Sequence, residues 1–225
     1  MTPTDVAEHA ATELARTVSA ADASRRVALA VPGGSVAELL FPRLARLALD
    51  WSRIDVTWVD ERVVPPDHPD SNVCAARRHW LDRLAAPGPR IIAPPFSTDA
   101  DRMAADWQAA LIDALGTPPR LDIAMLGVGS DGHVASIFPR HPSLDREDAW
   151  AIAVHDAPKP PPERVTLTRA ALAQASELWV IAFGREKAAA IREARADPLA
   201  SSPLAQVVAT AKRVRWFLDD AAASA

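Results

Sequence analysis

The stretch Leu121-Asp-Ile-Ala-Met-Leu-Gly-Val-Gly-Ser-Asp-Gly-His-Val-Ala-Ser-Ile-Phe-Pro139 joins an apolar run to a glycine-rich turn. Leu121, Ile123, Ala124, Met125 and Leu126 form a short, nearly continuous apolar segment, the pattern of a strand buried on both faces. Gly127 and Gly129 then let the backbone turn tightly and lie close to a ligand. Asp131 and His133 follow at the carboxyl end of a central strand, where a helix is expected to begin. Open α/β sheets bind ligands at that edge. An imidazole held there exchanges protons near neutral pH.

Outward from this segment, two element types alternate. Residues 3–22 read as an amphipathic helix, and Arg26–Val31 as a strand ending in Pro32-Gly33-Gly34-Ser35. A helix is expected from there to Leu49 with Ser35 as its N-cap. Ile54–Val59 reads as a strand running into Asp60-Glu61-Arg62. Ser71–Leu84 reads as a helix capped by Ser71 or Asn72, Ile91 and Ile92 as a short strand, and Asp99–Leu115 as a helix. After the Leu121 strand come shorter strands at Ala151–Val154 and Arg164–Thr168, flanking a Pro158–Pro162 break. Leu178–Phe183 reads as a buried strand, Arg185–Ala194 as a helix, and Arg213–Leu218 as a last strand before a short C-terminal helix. Such alternation predicts an α/β fold: a mostly parallel, Rossmann-like sheet with helices on both faces. No repeat or long low-complexity linker divides the chain, so residues 1–225 are expected to form one domain.

Composition narrows the function classes. The 225 residues are 49% hydrophobic and 24% charged, ordinary for a globular protein that buries a sizeable core. A net charge of −4 gives no support to a nucleic-acid partner. Only three lysines occur, Lys159, Lys187 and Lys212. Cys74 is the single cysteine, which excludes an intrachain disulfide and reads as packing. No apolar run reaches the ~20 residues that span a bilayer. Asp5, Glu8, Glu13 and Asp22 argue against a signal peptide, so a cytoplasmic protein is expected.

Three loops are read as leaving carboxyl ends of strands, Gly33-Gly34-Ser35, Asp60-Glu61-Arg62 and Gly127–His133, and each supplies a different tool. Gly33-Gly34-Ser35 opens a helix, whose free N–H groups and dipole suit an anion such as phosphate. It is neither a dinucleotide fingerprint nor a Walker loop, because the required glycine and Gly-Lys-Ser/Thr are missing. Arg62 offers a planar fork for phosphate oxygens, and Asp60 or Glu61 would orient it or bind sugar hydroxyls. The same triplet also reads as a local salt-bridge cluster. His133 reads as a general base beside Asp131, as a metal ligand, or as a structural histidine. Asp131, His133 and His141 do not form a zinc pattern, so no metal is expected. Arg164 and Lys187 are further phosphate candidates, Lys187 because a cation in a first helical turn works against the dipole.

With these residues laid out, the chain resembles the 6-phosphogluconolactonases, relatives of the glucosamine-6-phosphate deaminase/isomerase fold. The resemblance covers nearly the whole length. It rests on Val31-Pro-Gly-Gly-Ser35, Trp58-Val-Asp-Glu-Arg62 with Pro69-Asp-Ser-Asn72, and Leu126 through Pro139. Pro162-Glu-Arg-Val-Thr-Leu167 and Phe183-Gly-Arg-Glu-Lys187 add to it. One departure is Val36-Ala37, where the family usually has Thr-Pro. The aldose–ketose deaminases share Asp-Gly-His but continue with Asn-Glu-Pro, carrying a catalytic glutamate. Here Ser136-Ile-Phe-Pro139 holds no acid.

The resemblance implies hydrolysis of 6-phospho-D-glucono-1,5-lactone to 6-phosphogluconate, the second step of the oxidative pentose phosphate pathway. His133 would act as base toward water, with Asp131 orienting it or the substrate. Gly33, Gly34, Ser35, Asp60, Arg62, Gly129, Arg164 and Lys187 would bind substrate and its phosphate. No cofactor is implied. The expected partner is a small sugar-phosphate lactone, with neither nucleic acid nor membrane, and the protein a monomer or small homo-oligomer. The alternatives are a glucosamine-6-phosphate deaminase/isomerase and a non-catalytic sugar-phosphate sensor. A sensor of this kind would carry a separate helix-turn-helix, which is not expected within these residues.

Overall fold

The computed structural model describes residues 1–197 and 199–224. The chain runs through α1 (Pro3–Ala20), β1 (Val27–Val31), α2 (Gly34–Leu44), β2 (Ile54–Trp58), β3 (Asp60–Arg62), α3 (Asn72–His79), β4 (Arg90–Ile91), α4 (Ala100–Leu115) and β5 (Ile123–Gly127). The second half adds β6 (Ala151–Val154), β7 (Arg164–Leu167), α5 (Arg169–Ala173), β8 (Glu177–Ala182), α6 (Ala188–Ala196), α7 (Pro203–Thr210), β9 (Val214–Leu218) and α8 (Asp220–Ala223).

Six strands form an all-parallel sheet in the order β4-β2-β1-β5-β8-β9. The residues of β1, Val27-Ala-Leu-Ala-Val31, are all buried, as a parallel strand covered on both faces requires. One face packs on α1, α2 and α3 through Leu14, Leu40, Phe41, Trp58 and Trp80. The other packs on α4, α6 and α7 through Trp107, Leu126, Val180, Ile191 and Leu204. Each fully buried Leu or Val contributes roughly 1.5–3 kcal/mol by its removal from water. Strand order reverses between β1 and β5, so their carboxyl ends diverge and open a crevice. No helix among the described residues is long and apolar enough to cross a membrane.

Three features depart from the sequence expectations. First, β3, β7 and β6 form a separate antiparallel sheet, so Asp60-Glu61-Arg62 is a strand rather than a loop. Val59 is the joint: its N–H donates to Val31 in the large sheet, and its carbonyl accepts from Leu167 in the small one. Second, no helix follows His133. Gly132 and Ala135 adopt positive φ angles of 79° and 50°, and Val134 bridges to Val128 and Ile137. Left-handed residues at that spacing interrupt any right-handed turn. Third, the N-cap of α2 is Gly33 rather than Ser35, and that helix stops at Leu44 instead of Leu49.

Smaller revisions concern helix ends. Ser71 caps α3 by accepting from the Cys74 N–H, and the helix ends at His79, with a 3-10 turn at Leu81–Arg83. Arg185–Lys187 is likewise a 3-10 turn, and α6 begins only at Ala188. Helices α5 and α7 carry no expectation from the sequence.

Candidate active site

A cleft of about 140 Å³ opens at the crevice between the carboxyl ends of β1 and β5. Its walls include Gly33, Gly34 and Ser35 from the start of α2, Asp60 and Arg62 from β3, and His133 from the turn after β5. Asn72 and Arg164 add further polar side chains to the lining, and Ala135 an apolar one. Seven of the residues singled out in the sequence therefore meet here. Asp131 and Gly129 stand behind His133. Lys187 does not line the cleft; its ammonium lies 3.9 Å from Glu186.

The strand geometry of β3 sorts its three residues. Side chains alternate across a strand, so Asp60 and Arg62 face the cleft while Glu61 faces α3. The Glu61 carboxylate accepts from the N–H groups of Arg62, Asn72 and Val73 and from the Ser71 hydroxyl, all at 2.7–2.9 Å. Burial pushes the Glu61 carboxyl above its ordinary value, and these four donors offset only part of that rise. It thereby locks β3 to the start of α3, where the helix dipole favours an acid. Asn72 is fixed in turn by the Asp60 carbonyl and carboxylate, at 2.9 and 3.2 Å. A Cβ on residue 33 would lie 1.8 Å from the Asn72 side-chain oxygen, so glycine alone fits there.

Arg62 and Arg164 are directly paired across β3 and β7. Like charges so placed repel. Asp60 lies 3.9 Å from the Arg164 guanidinium and eases the repulsion. The Arg62 guanidinium gives one hydrogen bond, to the Asp70 carbonyl at 2.7 Å, and its buried Nε has no partner. Arg164 is more committed. It donates to the carbonyls of Lys159, Pro160 and Pro161 and to the Ser136 hydroxyl. Burial and the neighbouring Arg62 push its guanidinium below the usual arginine range. Ser136, itself fully buried, donates to the second Asp60 oxygen at 2.6 Å.

On the opposite wall, the turn after β5 is closed by a hydrogen bond from the Gly129 N–H to the His133 carbonyl at 2.8 Å. The Asp131 carboxylate meets His133 Nδ1 at 2.5 Å and also accepts from the His133 N–H. A Cβ on residue 129 would lie 2.0 Å from Nδ1 and 2.5 Å from that carboxylate, so the pair requires glycine beneath it. With its Nδ1 proton directed at Asp131, the imidazole keeps its lone pair on Nε2. Its ring packs on Phe138 at a centroid distance of 4.8 Å. Burial holds the His133 imidazole below its ordinary value against the opposing pull of Asp131, so the neutral form prevails at pH 7. Burial acts to raise Asp131, but His133 and Lys159 together hold it below the usual carboxylate range.

Three residues of the site were not singled out as functional from the sequence: Asn72, Ser136 and Lys159. Asn72 stands in the sequence as a cap candidate and as the end of the Pro69-Asp-Ser-Asn72 match, with no role in the site attached to it. Lys159 sits 3.4 Å from His133 Nδ1 and 3.8 Å from Asp131. Its one signal was rarity, as one of three lysines in the chain, set within a proline run. Among the described residues, no three His, Cys, Asp or Glu side chains converge to hold a metal ion.

The profile of the family described as Glucosamine-6-phosphate isomerases/6-phosphogluconolactonase matches residues 1–216. The 6-phosphogluconolactonase of Streptomyces coelicolor is 37% identical, over 97% of this chain and 90% of its own length. That of Rattus norvegicus is 35% identical, over 88% of this chain and 80% of its own. Among solved structures, 6-phosphogluconolactonase from Trypanosoma brucei superimposes with a TM-score of 0.87 at 26% identity, covering 100% of this chain and 95% of that one. A monomeric glucosamine-6-phosphate deaminase shares the fold at a TM-score of 0.82 and 19% identity, over 100% of this chain and 97% of its own. On the strength of the profile match and these relatives, the chain belongs to the glucosamine-6-phosphate isomerase/6-phosphogluconolactonase family.

Proposed function

We propose that this protein is a 6-phosphogluconolactonase, an ester hydrolase that opens 6-phospho-D-glucono-1,5-lactone to 6-phospho-D-gluconate in the second step of the oxidative pentose phosphate pathway. The observation that carries this reading is a neutral, Asp131-held imidazole facing two arginines and a helix N-terminus across one small cleft. A lactone is already an activated ester, so one base and a few donors suffice. His133 Nε2 takes a proton from water as the water oxygen bonds to C1. Backbone N–H groups of the glycine turns stabilise the oxyanion. The C1–ring oxygen bond then breaks, and the imidazolium returns its proton to the departing oxygen. The resulting acid ionises to carboxylate in water.

The 6-phosphate is assigned to the start of α2 and to Arg62. The first N–H groups of a helix have no intrahelical acceptor, and the Arg62 guanidinium, which lines the cleft and is engaged only by the Asp70 carbonyl, adds charged donors. An anion between Arg62 and Arg164 also relieves their mutual repulsion. Arg164 spends its remaining donors on the 159–161 carbonyls and holds the cleft wall. Deamination of glucosamine 6-phosphate is the second reading, and Ser136-Ile-Phe-Pro139 works against it. Ser136 and Phe138 are fully buried and no acid is present at that point.

The test is the initial rate on freshly prepared lactone, corrected for spontaneous hydrolysis, with glucosamine 6-phosphate as a competing substrate. Enzyme-dependent ring opening without ammonia release is expected. Ammonia release, or tight binding of both sugars without turnover, would overturn the proposal.

A further inference from the structure

The loop between β6 and β7 does more than connect two strands. Residues 155–163 are tied at both ends. The Ala157 N–H donates to the Pro162 carbonyl at 3.0 Å, and His155 sits between Glu163 at 2.6 Å and Asp101 of α4 at 3.1 Å. From inside, the buried Arg164 guanidinium gathers the carbonyls of Lys159, Pro160 and Pro161. A proline-rich backbone so fastened has little freedom left. Its most prominent cargo is one lysine, and the lysine points at the Asp131–His133 pair.

We propose that Lys159 is a positioning residue of this pair, delivered by the 155–163 loop to the Nδ1 side of His133 and to the Asp131 carboxylate. Lys159 does not line the cleft, while His133 does. Its ammonium therefore acts on the edge of the ring remote from the substrate. The charged groups around the imidazole are Asp131 on its own turn, Asp60 from β3 and Lys159 from the loop. Arg164 lies beyond Phe138, 5.6 Å from that ring's centroid. Asp131 and Asp60 favour the imidazolium, whereas Lys159 opposes it.

That opposition has a use in the lactonase reading, on which this step rests. An imidazolium clamped by Asp131 alone would keep the proton it takes from water. A cation beside Nδ1 makes it readier to give that proton to the departing ring oxygen. The same cation holds Asp131 ionised, so the carboxylate stays an acceptor throughout.

The experiment compares wild type with Lys159→Gln and Lys159→Arg, by the pH profile of kcat/KM and by NMR titration of the His133 ring. His133→Asn supplies the signal assignment. The Lys159 carbonyl, which Arg164 holds, survives both substitutions. In Lys159→Gln the acid limb and the His133 titration should both move up by roughly 0.5–1 pH unit, since a nearby like charge is gone. The rate then falls up to about tenfold at acid pH and converges on wild type at alkaline pH, with KM little changed. Lys159→Arg should restore both. Unmoved titration and limb in Lys159→Gln would overturn the proposal, as would a raised KM with an unmoved limb. A shifted His133 titration in a protein that leaves the lactone untouched upholds the positioning role and removes the lactonase reading.

Discussion

At the amino edge of the six-stranded sheet, Asp55 receives Arg26 at 2.5 Å and Arg90 at 2.7 Å, while Arg25 grips both oxygens of Asp122. At the carboxyl edge, Arg62 carries an unpartnered Nε and His133 presents an Nε2 with no protein partner among the described residues. The amino-edge cavity is the larger, about 430 Å³ against 140 Å³, and it holds more arginine. Size and charge would nominate the wrong edge. What separates the two is valence. The amino-edge acids are shared among several donors, as a structural network requires. The carboxyl edge leaves an imidazole nitrogen without a protein partner at the cleft and a buried guanidinium Nε without an acceptor. Unsatisfied polar groups there are a cost that a bound substrate offsets.

The largest test of this contrast is His133→Ala. It should lower kcat by ~10²–10⁴-fold with folding intact, measured by the corrected lactone assay and circular dichroism. Near-normal turnover would close the carboxyl edge as a catalytic site. Next is Arg62→Ala, which should raise KM and cut kcat/KM by roughly 10–100-fold, the worth of hydrogen bonds to a charged group. A loss of folded protein without a KM effect would instead make Arg62 a structural ion like those at the amino edge. The smallest kinetic effect belongs to Asp55→Asn. Its carboxylate is buried, but both arginines are more than a third exposed. Stability in urea should therefore drop by only about 1–2 kcal/mol, with kcat and KM unchanged. A kinetic effect there would erase the distinction between the edges.

Much of the fold was legible because its strands are apolar and its helices carry caps. Val27–Val31 and Ile123–Gly127 stand out as apolar runs, Ile54–Trp58 alternates Ile54, Val56 and Trp58 with the polar Asp55 and Thr57, and Asp99 announces α4. The second sheet was not legible. Asp60-Glu61-Arg62 has no apolar pattern, and only pairing with a strand about a hundred residues away makes it one. The missing helix after His133 has the same origin. Val134 prefers bridges to Val128 and Ile137, and the Ser136 N–H goes to Thr166 rather than to a helical carbonyl. Of the candidate site, the glycines, Arg62 and His133 could be named because they follow strands at the ligand-binding edge and carry chemistry suited to an anion or a proton. Asn72 could not, since its role depends on approaching Gly33 across space. Lys159 could not either, because a proline break gives no direction to its side chain.

The joint at Val59 bears on how the molecule comes together. Thr166 reaches the Val59 carbonyl across 107 residues of sequence, and Ser136 reaches Asp60 across 76. Closing loops of that length costs entropy before any contact offsets it. The strands and helices around β1 and β2 can form from near neighbours, but the cleft wall must wait for β7. A nascent or partly unfolded chain can therefore hold most of its secondary structure and still have no site.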